Sequence, residues 1–147
     1  MTNMMFLNIP VGDVTRAVAF YEALGATKNP KFSDDSGACL VLSDHIYIMA
    51  LGREKFGSFI PGREVADPNA AVGHIICITQ DSRADVDTLV DKAAAAGATA
   101  DITPADDYGF MYGRNFVDPE GHLWNIFWMD PVAAEKGPEA FMAEAAA

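Results

Sequence analysis

Apolar and polar positions along the chain follow two similar series of elements. In the first series, residues 4–11 form an extended apolar run, and residues 14–24 then carry apolar side chains at helical spacing. Asp13 is a suitable N-cap for this helix, and Gly25 is a suitable C-terminal stop. Three short extended segments follow the helix, at residues 26–32, 38–42 and 45–51. The pattern predicts a βαβββ unit.

The same order of elements begins again in the second half of the chain. Residues 72–79 have a buried-strand pattern, and a helix whose apolar face includes Val86 follows before Gly97 ends it. Three extended segments return after this helix, at residues 98–102, 110–117 and 122–129. The residues Leu-Gly-Ala-Thr at 24–27 also match Ala-Gly-Ala-Thr at 96–99, which indicates two copies of one unit.

Two βαβββ modules predict an α+β fold within a single domain. Each module is too small to bury its own core, so we expect the modules at about 4–51 and 72–130 to pair around a shared cavity. Residues 52–71 are rich in Gly and Pro and are predicted to form a connecting loop with one short helical turn at 54–59. The C-terminal tail, residues 131–147, is expected to form a short helix or a frayed end.

Composition excludes several classes of partner. The chain has 147 residues, of which 50% are hydrophobic and 21% charged, as expected for one globular domain. Its 21 acidic and 10 basic residues give a net charge of −11, which argues against nucleic acid and anionic membranes as partners, since both attract clustered Lys and Arg. No apolar stretch is long enough to span a membrane. Cys39 and Cys77 lie in apolar runs without metal-ligand spacing, so both are predicted core residues, and a cytosolic location is the default expectation.

Two sequence motifs resemble those of a known family. Residues 6–13 (Phe-Leu-Asn-Ile-Pro-Val-Gly-Asp) and 116–124 (Phe-Val-Asp-Pro-Glu-Gly-His-Leu-Trp) are similar to motifs of the vicinal-oxygen-chelate superfamily. This superfamily contains glyoxalase I, bleomycin-resistance proteins and extradiol dioxygenases, and the resemblance covers about residues 4–130. It implies paired modules and usually a homodimer, but no particular reaction, because the scaffold serves lyases, isomerases, dioxygenases and binders.

Enzymes of this superfamily hold a divalent metal on side chains from four strands. The resemblance places those four positions at Phe6, Ile48, His74 and Asn125. Phe and Ile have no donor atom and Asn is a poor neutral ligand, so only His74 could bind a metal well. We therefore expect no metal cofactor. The alternative is an atypical site for one divalent ion such as Ni or Zn.

Three polar residues could form a neutral hydrogen-bonding set in the otherwise apolar cavity: Asn8, His74 and Asn125. Asn8 shares a strand face with Phe6. Asn125 needs a backbone group, a water or a ligand as its partner, because an unpaired buried amide costs about 1–3 kcal/mol. His74 is the best catalytic candidate, as a general base, although a strand histidine without a catalytic role fits the sequence equally well.

Arg114 is a basic residue among aromatic residues in the acidic second half of the chain. It could capture an anionic group of a ligand, or it could form a salt bridge, which the abundance of nearby carboxylates favours. The candidate salt-bridge partners are Asp118, Asp106 and Asp107. Tyr112 and Phe127 could stack on a flat ligand or belong to the core.

The sequence supports three functional hypotheses. In the preferred one, a metal-free protein binds a small apolar or aromatic molecule in the cavity, as bleomycin-resistance-type binders do. The second is a lyase or isomerase of the glyoxalase I (lactoylglutathione lyase) type with an atypical metal site, and the third is a dimeric scaffold without a ligand. The preferred hypothesis names as ligand-binding residues Phe6, Asn8, Ile48, His74, Asn125, Phe127, Tyr112 and Arg114.

Overall fold

A computed structural model describes residues 2–146 of the chain. It divides into two compact units, which are unit 1 (Met1–Gly73 with Pro119–Gly121) and unit 2 (His74–Asp118 with His122–Ala147). Over residues 2–146 the fold is α+β, with two mixed sheets and five helices, as predicted. The cavity expected between the modules stays a prediction. None of the helices in this range is long and apolar enough to cross a membrane.

Unit 1 contains a four-stranded sheet in the order β1-β4-β3-β2. Strand β1 runs parallel to β4, and the other neighbours are antiparallel. The elements are β1 (Met5–Val11), α1 (Val14–Ala23), β2 (Thr27–Asp34), β3 (Gly37–Val41), β4 (Ile46–Gly52) and α2 (Arg53–Ser58). Strand β2 lies at the sheet edge, as its Asn-Pro pair predicts.

Helix α1 begins and ends where the sequence predicts. The Asp13 side chain accepts a hydrogen bond from the Arg16 backbone N–H, and Gly25 follows the helix with a left-handed φ of 102°. The helix packs on β3 and β4 through its buried face. The buried residues of the helix are Ala17, Phe20 and Tyr21.

Unit 2 repeats this arrangement with a sheet in the order β5-β9-β8-β6. Its elements are β5 (Ile76–Thr79), α3 (Arg83–Ala95), β6 (Thr99–Ala100), β7 (Asp106–Asp107), β8 (Met111–Val117), β9 (Leu123–Met129), α4 (Pro131–Lys136) and α5 (Pro138–Ala146). The predicted strand at 98–102 is reduced to two residues, because Asp101 adopts a left-handed φ of 55°. The predicted strand at 72–79 begins only at Ile76, which leaves His74 outside it.

Glu120, in the turn before β9, holds the start of α1. Its Oε2 accepts a hydrogen bond from the Gly12 backbone N–H (2.6 Å), while its Oε1 accepts from the backbone N–H of Asp13 (3.3 Å) and from Nη2 of Arg16 (2.8 Å). The Glu120 side chain is only 8% exposed. A carboxylate in this position satisfies backbone donors and complements the positive end of the helix dipole.

The turn that carries Glu120 also requires a glycine. Gly121 has a φ of 101°, and a Cβ atom there would lie 2.6 Å from Oδ1 of Asn69. The Asn69 side chain in turn donates to the Glu120 carbonyl (3.4 Å). The Asp-Pro-Glu-Gly motif therefore has a structural purpose, which is to present the Glu120 carboxylate.

We predict that Glu120→Ala destabilises the protein by about 2–3 kcal/mol, because it removes three hydrogen bonds to a nearly buried carboxylate. Thermal unfolding followed by circular dichroism measures the loss. The matched control is Glu64→Ala, an exposed carboxylate in the same unit. Equal melting temperatures for the two variants would contradict the structural importance of Glu120.

Candidate functional site

In each unit one helix, α1 or α3, covers one face of the sheet, and we call the other face the open face, although in unit 1 the short helix α2 packs on part of it. In unit 2, helix α3 packs on β8 and β9, and the side chains on that face include the buried residues Phe116, Trp124 and Ile126. Because side chains alternate along a strand, the neighbouring positions lie on the open face. The strand register places Cys77, Asn125 and Asn115 in one row of that open face.

The open face of unit 2 carries a pocket of about 200 Å³. Its lining includes Cys77, Met111, Asn125 and Phe127. Gly113 lies opposite Phe127 in the sheet, and a Cβ atom on Gly113 would approach Cβ of Phe127 to 3.3 Å. The structure thus brings three of the predicted binding residues, Arg114, Asn125 and Phe127, into one pocket, whose lining also includes Asp106.

The two asparagines of this face have different roles. Asn115 is buried, its Oδ1 accepts from the Ile102 backbone N–H (2.8 Å), and its Nδ2 donates to Oγ1 of Thr103 (2.6 Å). Asn125 is half-buried, and within residues 2–146 its side chain makes no hydrogen bond. Asn125 therefore keeps an amide available to a molecule in the pocket.

Cys77 corrects one sequence prediction. It was expected in the core with Cys39, but only Cys39 is buried, and Cys77 is exposed. The reason is the alternation along β5, in which Ile76 faces the core and Cys77 faces the pocket.

The Arg114 side chain is engaged by helix α3 and the chain after β6. Its Nη1 lies 3.1 Å from Oδ1 of both Asp87 and Asp91, and its Nη2 lies 2.8 Å from Oδ2 of Asp101. The hydrogen bonds that Arg114 donates to Asp101 raise the Arg114 pKa and lower the pKa of Asp101. Although Arg114 borders the pocket, three carboxylates already neutralise its charge.

The salt-bridge alternative for Arg114 was therefore correct, but its predicted partners were wrong. Asp118, Asp106 and Asp107 are closest in sequence. Of the actual partners, Asp87 and Asp91 lie on the helix that covers β8, and Asp101 follows β6. A capture role for Arg114 gains no support from this geometry.

Tyr112 also lies on the covered face of unit 2. Its hydroxyl donates to Oδ1 of Asp87 (2.6 Å), which raises the Tyr112 pKa. Above its ring lies the guanidinium of Arg83, 5.1 Å from the ring centroid. Tyr112 is thus tied to α3, and the structure does not bring it to the pocket with Phe127.

Arg83 is a structural residue that the sequence analysis did not identify. It forms a two-bond ion pair with Asp107, with distances of 2.7 and 2.9 Å, and it also lies 5.4 Å from the ring centroid of Trp128. The hydrogen bonds from Arg83 lower the pKa of Asp107 to about 2. The available signal was the position of Arg83 in the first turn of α3, next to the Ser82 N-cap.

His74 lies just before β5 and is exposed. Among residues 2–146 its side chain has no hydrogen-bond or ion-pair partner, and it does not line the unit 2 pocket. His74 and Asn125 belong to unit 2, whereas Asn8 belongs to unit 1, so the neutral set of three stays a prediction. His122 instead supports its turn, since it is buried and its backbone N–H donates to Oδ1 of Asp118 (2.9 Å).

The open face of unit 1 is more aromatic. Phe6 is 49% exposed, and its ring stacks on Tyr47 with centroids 4.5 Å apart. Asn8 follows on the same face, next to Met49 in the sheet, and its Nδ2 donates to the Phe6 carbonyl (3.0 Å). Ile48 is fully buried on the opposite face of β4, so the structure does not bring it to the face that carries Phe6 and Asn8. The register of β4 against β1 turns Tyr47, not Ile48, towards the face of Phe6.

A pocket of about 360 Å³ lies on this face beneath α2. Its lining consists of Asn8, Leu51, Phe56, Phe59 and Ile60. The last three residues belong to the segment predicted as a connecting loop, and the sequence analysis did not consider them as site residues. The spacing of Phe56, Phe59 and Ile60, which places all three on one side of a helical turn, was the available signal.

The donor set does not fit a metal centre of the glyoxalase type. Phe6 and Ile48 have no donor atom. Throughout residues 2–146, no three side chains of His, Cys, Asp or Glu come together in a group that could hold a metal ion.

Comparisons with known proteins identify a family and a fold. The family model of the Glyoxalase/Bleomycin resistance protein/Dioxygenase superfamily matches residues 4–126. No curated protein matches the chain by sequence at a significant level.

Several solved structures share this fold, and three of them illustrate the range of their descriptions. A glyoxalase-related enzyme from Fulvimarina pelagi aligns with a TM-score of 0.73 and 17% identity, covering 90% of this chain and 91% of that one. A glyoxalase/bleomycin resistance protein/dioxygenase family enzyme from Burkholderia phytofirmans PsJN aligns with a TM-score of 0.72 and 22% identity (87% and 99% covered). The fosfomycin resistance protein FosX from Mesorhizobium loti aligns with a TM-score of 0.65 and 14% identity (92% and 98% covered). At these identities the likeness concerns the fold alone.

We predict that Arg114→Gln lowers the stability by about 1–2 kcal/mol, because it leaves three carboxylates close together without their shared cation. Differential scanning calorimetry measures the change. The control is Lys92→Gln on α3, the helix that carries Asp87 and Asp91, since Lys92 is exposed and makes no ion pair within residues 2–146. An R114Q variant that melts like the control would overturn this role.

Proposed function

The chain belongs to the glyoxalase/bleomycin resistance protein/dioxygenase superfamily, and on this premise we propose that it binds a small apolar or aromatic molecule without using a metal ion. The observation that carries the proposal is the unit 2 pocket, in which the unpaired amide of Asn125 stands beside Phe127 and Met111. An apolar lining with a few polar groups is the usual composition of a ligand site.

Each lining residue has a defined contribution to binding. Phe127 offers a ring face for stacking, and Met111 adds a flexible, polarisable surface that adapts to different shapes. Asn125 can donate and accept a hydrogen bond, which would orient the ligand, and leaving its amide unpaired under a bound molecule would cost about 1–3 kcal/mol. The pocket therefore favours ligands with an apolar body and one polar group.

The size of the two open-face pockets favours a small ligand. Their volumes of about 200 Å³ and 360 Å³ are at or below the lower end of the range for drug-sized ligands, about 300–1,000 Å³. The stacked pair of Phe6 and Tyr47 in unit 1 adds exposed aromatic surface of the same kind. A resistance protein that binds its drug is one function with these requirements, and FosX shares the fold.

No observation favours the lyase alternative over binding, because Phe6 and Ile48 contribute no donor to a metal site. The homodimer that the resemblance implies stays a prediction.

We predict that neutral bicyclic aromatics, namely indole, quinoline and 2-naphthol, raise the melting temperature of the protein, because a ligand that binds only the folded state stabilises it. A thermal-shift titration of each compound measures the effect. Asn125→Ala should weaken binding of the best compound about three- to tenfold, as expected for one lost hydrogen bond.

The matched control for Asn125→Ala is Gln80→Ala. The side-chain amide of Gln80 donates only to the neighbouring Thr79 carbonyl (2.8 Å) among the described residues. Absence of any shift across the panel would count against the proposed function. Equal losses of ligand affinity in the two variants would show that Asn125 does not contact the ligand.

We also predict that the purified protein carries far less than one equivalent of Ni, Zn, Mn or Fe per chain, because its donor set does not fit a metal centre. Inductively coupled plasma mass spectrometry measures the content. Chelation with EDTA should leave the ligand-induced shift unchanged. A stoichiometric metal, together with turnover of the methylglyoxal–glutathione hemithioacetal, would support the lyase alternative instead.

A further inference from the structure

The α2 pocket, lined by Asn8, Leu51, Phe56, Phe59 and Ile60, has the cation of Lys55 beside it. Lys55 lies on α2, four residues before Phe59. Over residues 2–146, its side chain forms no ion pair.

The positive charge of Lys55 stands directly against the aromatic wall of the pocket. Its Nζ lies 5.4 Å from the ring centroid of Phe59, a cation–π distance. Phe59 itself is 64% exposed, so an aromatic surface and a cation are offered together to a molecule arriving from solvent. Lys55 also helps to lower the pKa of the Asp34 carboxyl, after the hydrogen bonds from Ser36, but it makes no ion pair with it.

Arg53 fixes this segment in place. Its Nη2 donates to the Val65 carbonyl (2.8 Å) and its Nη1 to the Ala66 carbonyl (3.2 Å), so its charge is also not matched by a carboxylate. Gly57 allows close packing here, because a Cβ atom on it would lie 3.4 Å from Cγ2 of Val65. Helix α2 is thus held against the following chain, and the pocket is formed before any ligand binds.

We propose that the α2 pocket binds a small aromatic carboxylate, with its ring against Phe56 and Phe59 and its carboxylate towards Lys55. This inference concerns a second site, in unit 1, and goes beyond the function proposed for the unit 2 pocket. A singly charged anion suits the site better than a phosphate dianion, because Glu54 lies next to Lys55 in the sequence. Asn8 has an Oδ1 without a partner in the described residues, so it can accept from a ring hydroxyl.

The proposal predicts that the pocket prefers an anion to a neutral molecule, whereas a purely apolar pocket would show no such preference. Isothermal titration of the full chain with 2-naphthoate and with 2-naphthamide compares an anion and a neutral molecule on the same ring. We expect 2-naphthoate to bind about fivefold more tightly at low salt, the size of one partly exposed ion pair. Raising the salt to about 0.5 M should remove this preference, because the Debye length then falls well below 8 Å.

Two variants separate the contributions of charge and ring. Lys55→Gln should remove the preference for 2-naphthoate while leaving 2-naphthamide binding unchanged, and Phe59→Ala should weaken both compounds. Lys31→Gln on β2 is the matched control, an exposed lysine of the same unit that does not line the pocket, and it should change neither affinity.

The possible failures are distinguishable. If both naphthalene compounds bind equally in the wild type, or if Lys55→Gln keeps the preference, the carboxylate inference is overturned while the proposed function stands. If neither compound binds but indole, quinoline or 2-naphthol does, the carboxylate inference is overturned and the proposed function still stands. If none of the five compounds binds, the proposed function fails together with it.

Discussion

The carboxylate of Glu120 at the start of α1 is the contact on which the arrangement of unit 1 depends. It joins Gly12 to a residue 108 positions later in the chain, and it replaces water at backbone donors that the helix cannot satisfy itself. Gly121 and the side-chain amide of Asn69 support the same contact, because they fix the turn that carries Glu120. Because this contact and the Asp13 cap fix α1, the helix covers one face of its sheet and leaves the other face without it.

Some charged residues stabilise the fold, and others are not engaged by it. On the covered side of unit 2, Arg114 and Arg83 are bound to carboxylates through short hydrogen bonds, and they serve stability. The pocket on the open face of that sheet offers an amide, a thiol, the Asp106 carboxylate and apolar side chains. Lys55 in the α2 segment of unit 1 differs from these two arginines, because it forms no ion pair in the described residues and lies against the Phe59 ring. A charge that forms no ion pair within the protein is available to bind a ligand, and for this reason we propose that the aromatic carboxylate binds at the α2 pocket.

Much of the fold followed from local patterns in the sequence. Helix α1 was predictable because the Asp13 cap, the apolar spacing and Gly25 all act within a few residues of one another. The start of β5 was not, because Val72 and Ile75 are apolar whether or not they pair with a neighbouring strand. The strand at 98–102 likewise contains no signal for the left-handed backbone at Asp101 that ends it.

By itself, the sequence determined the order of elements, the family and the absence of donors at two metal positions, because these depend on residue identity and on spacing of a few residues. Only the tertiary structure decided which face each strand residue occupies. Register between β1 and β4 buried Ile48 and turned Tyr47 outward, and a shift of one position would have reversed both. Only packing of α3 on β8 could select the partners of Arg114, because ion pairs form between groups that are close in space, and Asp87 and Asp91 are distant in sequence.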